Sequence, residues 1–286
     1  MILITGASGH VGRRLAELLA QRGAKLRLMG RDTSKLPRLP NAEQISADYN
    51  DIASLDRAMA GIERAFIVSG HSEPGQRARE HRNAIQAAAR AGVKHLVYTS
   101  FQGASPDSKF PYSRDHYQTE QYLAESGVPF TALRDSMYMD MFAEMPDENG
   151  VIRGPAGNGV AAFVSREDVA QVAAAILSSS NPLTGTPDVT GPEAITFTEA
   201  ARRLSAITGR NLRFEDESLE EGRRWRRATG AKDWQVETWV GSYAAIAAGE
   251  MAQVSDTVAR LTGHPPLKLE DYFSQHSELL KKLKAA

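Results

Sequence analysis

The sequence predicts an α/β fold, in which a doubly wound parallel sheet carries a smaller, mostly helical C-terminal lobe. The first observation is that short apolar runs alternate with longer segments whose apolar residues repeat at helical spacing. Strands and helices that alternate in this way form parallel sheets with right-handed crossovers. The second observation is that the C-terminal part is mostly helical in pattern. With 286 residues, 42% of them hydrophobic, the chain can bury a large core.

The first strand and the turn that follows it are the most informative stretch. Ile2–Ile4 is a short apolar run, and Gly6, Gly9 and Gly12 follow it at three-residue spacing. Glycine tolerates positive φ and lets the backbone approach a ligand closely. A helix that begins near His10 points its free N–H groups and positive dipole end at this gap, where a pyrophosphate fits. Strand, glycine turn and helix together predict a dinucleotide site in a Rossmann-type domain, a ligand-free tight turn being the alternative.

The tip of the second strand, Leu26–Met29, bears on the choice of cofactor. A carboxylate at this tip accepts hydrogen bonds from the ribose of NAD, whereas an arginine accommodates the 2′-phosphate of NADP. Gly30 does not repel a phosphate, and Arg31 can donate two hydrogen bonds to it. We therefore expect NADP(H) to be preferred over NAD(H), with Asp32 capping the next helical turn. The alternative for Arg31 is a solvated loop arginine.

The remaining strands end at one edge of the predicted sheet, and such strand ends form the ligand crevice of an open parallel sheet. We expect these strands at Glu43–Ala47, Ala65–Val68, Leu96–Tyr98, Phe130–Arg134 and Asp188–Thr190. Asp48, after the third strand, either reaches the adenine amino group or occupies a turn. Helix caps are expected at Asp51, Ser165 and Thr198.

Two helices after the fourth and fifth strands carry charged or titratable side chains. On the helix predicted from Gln76 to Ala91, we expect a solvated face made of Arg77, Arg79, Glu80 and Arg82. On the next helix, Tyr112 and His116 are four residues apart and share a face. A tyrosine whose pKa is lowered by a neighbouring cation can donate a proton to a carbonyl oxygen, which makes this pair a catalytic candidate. The slightly favoured alternative is that both line a pocket or a helix surface.

The segment Ser136–Phe142 is rich in methionine and follows the end of the sixth strand. Methionine adapts to irregular surfaces and flat ligands, so we predict a pocket wall that includes Ser136, Met137, Tyr138 and Phe142. Ordinary core packing carries equal weight.

The domain organisation follows from these elements. Residues 1–150, with contributions from about 160–192, are expected to form the dinucleotide-binding domain, and residues 193–286 the substrate-binding lobe. We expect this lobe to be anchored by its tryptophans, Trp225, Trp234 and Trp239. Acidic residues precede the arginine run Arg223–Arg227, which favours a salt-bridged helix surface over a nucleic-acid patch.

Composition excludes several classes of function. A net charge of −1 gives no electrostatic reason to expect nucleic acid or an anionic membrane. The absence of cysteine excludes disulfides and thiolate chemistry, and no histidine pair has metal-binding spacing, so no metal is expected. No Gly-x-Ser-x-Gly elbow indicates a serine hydrolase. We expect a cytoplasmic protein, because the chain enters its first strand without a signal peptide and has no membrane-length apolar run.

Several motifs together resemble the NmrA-like atypical short-chain dehydrogenase/reductases, and most resemble their NAD(P)H:quinone oxidoreductase type 2 and triphenylmethane reductase branch. These motifs are Thr5–Gly12, Gly30-Arg31, Ala91–Thr99, His116 with Glu120, and Gly127–Arg134. The similarity runs to about Phe142 and continues more loosely through Val254–Val258 and Leu261–Leu267.

The resemblance implies NADPH along the glycine turn, with Arg31 on the 2′-phosphate. The turn residues concerned are Gly6, Ala7, Ser8, Gly9, His10 and Val11. It further implies that the nicotinamide lies near Ser69, Gly70, Thr99 and Ser136–Tyr138, and that hydride passes to a flat conjugated acceptor such as a quinone or dye. His116 occupies the place of the lysine in the Tyr-x-x-x-Lys pair of ordinary members, and Asp135 stands where related chains more often carry proline or asparagine.

Three functions are compatible with the sequence. The first is an NADPH-dependent oxidoreductase that acts on a small aromatic or quinone-like molecule. The second is a dinucleotide-binding redox sensor that signals to a protein partner, since a secure Tyr–Lys pair is missing. The third, a sugar-nucleotide epimerase, requires that same pair and ranks last. The oligomeric state stays open, and a homo-oligomer is compatible with the sequence.

Overall fold

The structure, a computed structural model, describes residues 1–285. Its strands are β1 (Ile2–Ile4), β2 (Leu26–Gly30), β3 (Ala42–Ser46), β4 (Arg64–Ile67), β5 (His95–Phe101), β6 (Phe130–Asp135), β7 (Val151–Gly154), β8 (Val160–Ala161), β9 (Asp188–Val189), β10 (Ile195–Thr196) and β11 (Arg213–Asp216).

The central sheet confirms the predicted doubly wound fold. Seven parallel strands lie in the order β3-β2-β1-β4-β5-β6-β9. Leu3 of β1 pairs with Arg27 on one side and with Ala65 on the other. The strand order therefore reverses between β1 and β4, and ligands of such sheets bind outside the carboxyl ends of the strands at this point.

Helices cover both faces of this sheet. The helices with residues in its two core clusters are α1 (His10–Gln21), α2 (Ile52–Met59), α3 (Gln76–Arg90), α4 (Pro111–Glu125), α5 (Arg166–Ser178) and α9 (Thr257–Thr262). The smaller lobe holds α6 (Phe197–Thr208), α7 (Leu219–Ala228), α8 (Asp233–Ala247), α10 (Leu269–Gln275) and α11 (Ser277–Ala285). Leu15 of α1 and Val172 of α5 share one core cluster, whereas Leu55 of α2 and Ile85 of α3 belong to another. The apolar stripes of these four helices face the sheet, as their periodicity predicts.

The smaller lobe is built around two short sheets and an aromatic cluster. Strand β11 pairs in parallel with β7, and β10 pairs antiparallel with β8. The part of the chain after residue 193 is mostly helical, as predicted, with β10 and β11 as its strands. Phe142, Phe163 and Phe197 pack with ring centroids 4.9–5.7 Å apart. The division into residues 1–150 and 193–286 stays a prediction. The segment between them contributes to both parts, since β7 pairs with β11 of the lobe and β9 pairs with β6 of the central sheet.

Two local predictions are wrong, and both errors have a structural reason. Helix α6 is capped by Thr196, whose hydroxyl accepts from the N–H of Glu199 at 3.0 Å, rather than by the exposed Thr198. On α3, Arg77 and Glu80 are 2% and 5% exposed, because their polar atoms are used in buried hydrogen bonds rather than in water. The predicted caps Asp51 and Ser165 are confirmed.

Within residues 1–285, no helix combines the length and the apolar character that crossing a membrane requires.

Candidate functional site

The glycine turn after β1 is tightly constrained at each of its three glycines. Gly6 has φ of +57°, and a methyl group there would lie 2.2 Å from Cγ1 of Val68. The N–H of Gly9 donates to the carbonyl oxygen of Gly6 at 2.9 Å. A methyl group at Gly12 would lie 2.5 Å from that same oxygen. The turn therefore depends on the absence of side chains, because either methyl group would overlap its neighbours.

Helix α1 presents its N-terminus to this turn. Gly9 is its N-cap, and among residues 1–285 no side chain caps its first N–H groups and no acidic residue lies in its first turn. Uncapped N–H groups and the positive end of the helix dipole favour an anion at this position. Ser8, Gly9 and His10 are exposed here, whereas Ala7 and Val11 are buried in the core.

A first cleft of about 200 Å³ opens beside the glycine turn, at the carboxyl edge of the sheet. Its lining includes Gly6, Ser8, Gly30, Arg31, Asp48, Tyr49, Gly70, His71 and Glu80. Five of these residues were predicted as cofactor contacts or as the tip of the second strand, and Asp48 was predicted as an adenine contact or a turn residue. Sequence reasoning missed Tyr49, His71 and Glu80, although His71 follows the end of β4, where the crevice was expected.

At the β2 end of the first cleft, Arg31 and Asp32 have different surroundings. The exposed Arg31 lines the cleft, and its carbonyl oxygen accepts from the hydroxyl of Ser46 at 3.0 Å. Asp32 accepts from the backbone N–H and the hydroxyl of Ser34, and these hydrogen bonds lower the pKa of Asp32. Asp32 thus caps the helical turn as predicted. Asp48 both lines the cleft and accepts from the N–H of Asn50 in a turn.

At the other end of the first cleft, buried side chains hold the backbone of Ser69 and Gly70. The N–H of Ser69 donates to the hydroxyl of Thr99 at 2.7 Å. The N–H of Gly70 donates to Nε2 of His81 at 3.0 Å, and Nε of Arg77 donates to the carbonyl oxygen of Gly70 at 2.6 Å. Both polar groups of Gly70 are therefore fixed, so this wall of the cleft has one defined position.

Arg77 also links Gly70 to the predicted catalytic histidine. One guanidinium nitrogen of Arg77 donates to Nε2 of His116 at 2.8 Å, and Nδ1 of His116 lies 2.9 Å from the hydroxyl of Tyr98. Since Nε2 accepts in both His81 and His116, both rings are neutral and carry their proton on Nδ1. Burial, together with the charge of Arg77, lowers the pKa of both histidines well below the ordinary value.

The expected lowering of the Tyr112 pKa by a histidine cation is therefore wrong. His116 is neutral and only 4% exposed, so it offers no charge. Burial raises the pKa of Tyr112, and its hydroxyl donates to the carbonyl oxygen of Ser72 at 3.1 Å. The pair holds structure in place, and Tyr112 additionally lines the cavity described next.

A second cavity of about 970 Å³ lies between the central domain and the smaller lobe. Its wall includes three thioether and three indole groups, from Met137, Met141, Met145, Trp225, Trp234 and Trp239. His71 lines both the first cleft and this second cavity, so the two spaces adjoin at this residue. The prediction that the tryptophans anchor the lobe is wrong for Trp225 and Trp239, which are 42% and 45% exposed, whereas Trp234 is half-buried.

The second cavity offers little net charge to a ligand. Among its lining residues, Arg153 pairs with Asp147 at 2.5 Å. Arg226 pairs with Glu217 at 2.8 Å, and Glu144 pairs with Lys282 at 2.6 Å. Burial and neighbouring arginines lower the pKa of His71, which favours its neutral form. The lining thus suits an uncharged molecule, because each of its full charges is already partnered.

The methionine-rich segment divides between wall and core. Met137 lines the second cavity as predicted, but Phe142 is fully buried in the aromatic cluster, because two phenylalanines surround it. Ser136 is 1% exposed, and the hydroxyl of Tyr138 donates to Asp135 at 2.8 Å. Burial raises the pKa of Asp135 well above its ordinary value. Of the four predicted wall residues, only Met137 therefore lines the second cavity, and Ser136, Tyr138 and Phe142 do not.

No group of three or more metal-ligating side chains occurs in the part of the chain that the structure describes.

Comparison with known proteins agrees with this geometry. The sequence pattern of a family described as NAD(P)H-binding matches residues 6–180. The chain is 35% identical to the (4-alkanoyl-5-oxo-2,5-dihydrofuran-3-yl)methyl phosphate reductase of Streptomyces griseus, over 97% of this chain and 98% of the relative.

Two solved structures are similar over nearly their whole length. The NADPH complex of an Escherichia coli quinone oxidoreductase superimposes with a TM-score of 0.89 and 32% identity, covering 97% of this chain and 100% of that one. A Citrobacter triphenylmethane reductase complexed with NADP(H) gives a TM-score of 0.87 and 29% identity, covering 96% and 99% of the two chains.

These comparisons confirm the predicted fold and the resemblance to the quinone oxidoreductase and triphenylmethane reductase branch. They also confirm the expectation of an NAD(P)H-dependent oxidoreductase, since all three similar proteins are reductases or oxidoreductases. The chain belongs to the NAD(P)H-binding family whose pattern it matches over more than half of its length.

Proposed function

We propose that this protein is an NADPH-dependent oxidoreductase that reduces an uncharged, flat conjugated acceptor of the quinone kind. The observation that carries this proposal is the position of His71, which lines both the first cleft and the second cavity. A cofactor in the cleft and an acceptor in the cavity would be neighbours there. Proximity of this kind is the main contribution that a protein makes to hydride transfer.

The first cleft fits the dinucleotide. Gly6 and Ser8 line its open space, and the N-terminus of α1 is uncapped within residues 1–285, so a pyrophosphate would have both room and hydrogen-bond donors. Arg31 is assigned to the 2′-phosphate, because it lines the cleft and is exposed, whereas the carboxylate of Asp32 is engaged by Ser34 outside the cleft lining. When bound, the reduced cofactor supplies the hydride.

The second cavity supports an aromatic acceptor. Its methionine and tryptophan side chains provide a polarizable, mostly apolar wall. The Streptomyces relative is named for a phosphate-bearing substrate. In this chain, Arg153 and Arg226 are held by carboxylates, so binding a phosphate would require breaking an existing ion pair. An uncharged acceptor avoids that cost.

We assign no proton transfer to Tyr112 or His116. The hydroxyl of Tyr112 already donates its hydrogen bond to Ser72, and His116 is buried. His71 is the titratable side chain shared by both spaces, and its surface is open to solvent. A neutral imidazole at this position can donate an N–H hydrogen bond to an acceptor carbonyl oxygen. We propose that His71 orients the acceptor, and that solvent supplies the proton.

A steady-state assay of NADPH and NADH oxidation with a panel of quinones tests this function. We expect turnover at about 1 per second or faster with NADPH, and weaker activity with NADH. Cofactor binding is titrated in parallel. Tight NADPH binding without turnover of any quinone would contradict the proposal and favour the redox-sensor alternative. The cytoplasmic location and the oligomeric state stay predictions that this assay does not address.

A further inference from the structure

All three tryptophans of the chain line the second cavity. Trp225 belongs to α7, and Trp234 and Trp239 belong to α8. We propose that Trp225 and Trp239 are specificity-determining residues, which select acceptors with several planar rings over acceptors with one ring. This inference rests on the proposed function, because it concerns the acceptor of that same reaction.

Trp225 is held in place before any ligand arrives. Its indole Nε1 donates to Glu217 at 2.8 Å, and the guanidinium of Arg226 lies 4.1 Å from its ring centroid. Arg226 is itself fixed, since it donates to Glu217 and to the carbonyl oxygen of Gly222. The same guanidinium lies 5.2 Å from the ring of Tyr243. When a flat ligand stacks here, the Trp225 side chain therefore loses little additional conformational entropy.

Trp239 provides an apolar surface that the folded chain leaves open. It is 45% exposed, although neighbouring residues of α8 such as Val236 and Val240 are buried. Large apolar side chains that remain exposed in a concave site, rather than singly on a convex surface, indicate ligand binding. The Trp239 ring consequently has surface available to stack on an added aromatic ring.

The size of the second cavity favours a large acceptor. Its volume of about 970 Å³ lies near the upper end of the range of small-molecule sites, roughly 300–1,000 Å³. The reacting end of an acceptor must lie close to His71, where the cavity meets the first cleft. A one-ring quinone at that end leaves most of the aromatic wall in water, whereas a three-ring quinone extends along it.

Intrinsic fluorescence provides a binding measurement that does not depend on turnover. Because every tryptophan lines the second cavity, quenching of tryptophan emission reports acceptor binding in that cavity. We would titrate benzoquinone and phenanthrenequinone into the protein saturated with NADP⁺, with free tryptophan as the correction for absorbance. We expect the dissociation constant of phenanthrenequinone to be lower by about tenfold or more, since ring stacking adds to its affinity.

Variants then test the assigned residues by kinetics. We expect Trp239→Leu and Trp225→Leu each to raise the KM of phenanthrenequinone by about tenfold and that of benzoquinone by less than about threefold. Trp239→Phe should restore most of the difference, because it keeps an aromatic face. The matched control is Leu219→Ala, a residue of α7 that is 43% exposed and lies outside the cavity lining, and it should change neither KM.

The outcomes separate this inference from the proposed function. If neither quinone oxidises NADPH, the proposed function fails, and the fluorescence titrations still show whether several rings bind better than one. If benzoquinone is reduced but both leucine variants raise the two KM values equally, or leave both unchanged, the selectivity assignment is overturned and the proposed function stands.

Discussion

The first cleft and the second cavity are built from different parts of the chain. The part of the cleft proposed to hold the pyrophosphate uses backbone, namely the turn at Gly6, the N-terminus of α1 and the strand ends near Gly70. The cavity uses side chains from α4, from the segment after β6, and from α7 and α8. The two meet at His71. A site made of backbone is fixed by the fold, whereas a site made of side chains changes with each substitution.

This difference explains why cofactor and acceptor have unequal constraints. Glycine spacing and a helix N-terminus are required wherever a pyrophosphate binds the backbone closely. Nothing comparable fixes Trp225 or Trp239, which determine only the shape and chemistry of a wall. We therefore expect substitutions in the cleft to weaken cofactor binding and substitutions in the cavity to change the choice of acceptor.

The largest effect is expected from Gly6→Ala, which should damage the cleft and spare the cavity. The added methyl group meets Val68 at 2.2 Å, in a backbone conformation with positive φ. We expect a loss of stability of about 2–5 kcal/mol, which combines overpacking with positive-φ strain. The dissociation constant of NADPH, measured by calorimetry, should rise by about tenfold or more.

Gly92→Ala is the matched control for Gly6→Ala. Gly92 has φ of +72° but no atom within 4 Å of the added methyl group. It should therefore show only the strain of positive φ, about 1–2 kcal/mol, with normal NADPH affinity. Equal NADPH affinities in the two variants would show that close packing at Gly6 is irrelevant to the cofactor.

The next largest effect is expected from Arg31→Ala, which removes the side chain that we propose selects NADPH over NADH. Arg31→Ala should raise the KM for NADPH by about 10- to 100-fold, since a hydrogen bond between charged groups contributes about 1.5–3 kcal/mol. The KM for NADH should change little. Arg38→Ala, an exposed arginine of the following loop, serves as control. A similar loss with both cofactors would contradict the assignment of Arg31.

The pH dependence of stability tests the buried network beneath the point where cleft and cavity meet. His116 is neutral in the fold because burial lowers its pKa, so below pH 6.5 the unfolded chain binds a proton that the folded chain does not. Above the unfolded pKa of this histidine the free energy of unfolding is unaffected by its titration. Below that pKa the free energy of unfolding decreases as the pH falls. Between about pH 7.5 and 5.5 the loss is about 1.4 kcal/mol.

Urea unfolding of the wild type and of His116→Gln at both pH values measures this difference. The variant should be less stable overall, but its stability should fall by about 1.4 kcal/mol less over that interval. His81→Gln should behave in the same way, since burial likewise lowers the pKa of His81. Parallel pH profiles for wild type and both variants would mean that the two rings are not neutral in the fold.

The smallest effect is expected from Tyr112→Phe, on the cavity side. The hydroxyl of Tyr112 already donates to Ser72, and burial raises its pKa, so it does not serve as an acid. The kcat of Tyr112→Phe with a quinone should stay within about threefold of wild type, whereas losing a general acid lowers kcat by about 100-fold or more. A loss of that size in single-turnover kinetics would restore Tyr112 as the proton donor.

Much of the fold and of the cleft can be predicted from the sequence because their signals are local. The run from Ile2 to Gly12 contains strand, turn and helix start within a dozen residues, and Arg31 follows a second strand directly. The error at Thr198 is also local in nature, since Thr196 stands two residues earlier and is an equally suitable cap.

The cavity is less accessible to sequence reasoning because it depends on distant packing. Whether Trp225 faces a core or a cavity is decided by where α7 lies relative to β7 and α8. Similarly, Arg77 looks like a surface residue by helical periodicity, but its partners Gly70 and His116 come from other elements. Phe142 and Met137 lie in one segment, but Phe142 is buried in the aromatic cluster and Met137 lines the cavity. The sequence does not distinguish the two, because the phenylalanines that bury Phe142 come from distant elements.

A crystal structure of the protein with NADP⁺ and phenanthrenequinone tests the central claim most directly, because this pair binds without reacting. We predict the pyrophosphate against the N-terminus of α1, and the quinone in the second cavity against Trp225 or Trp239 with one end near His71. A quinone bound within the first cleft, or a cofactor bound away from Gly6, would contradict the account of two sites that meet at His71.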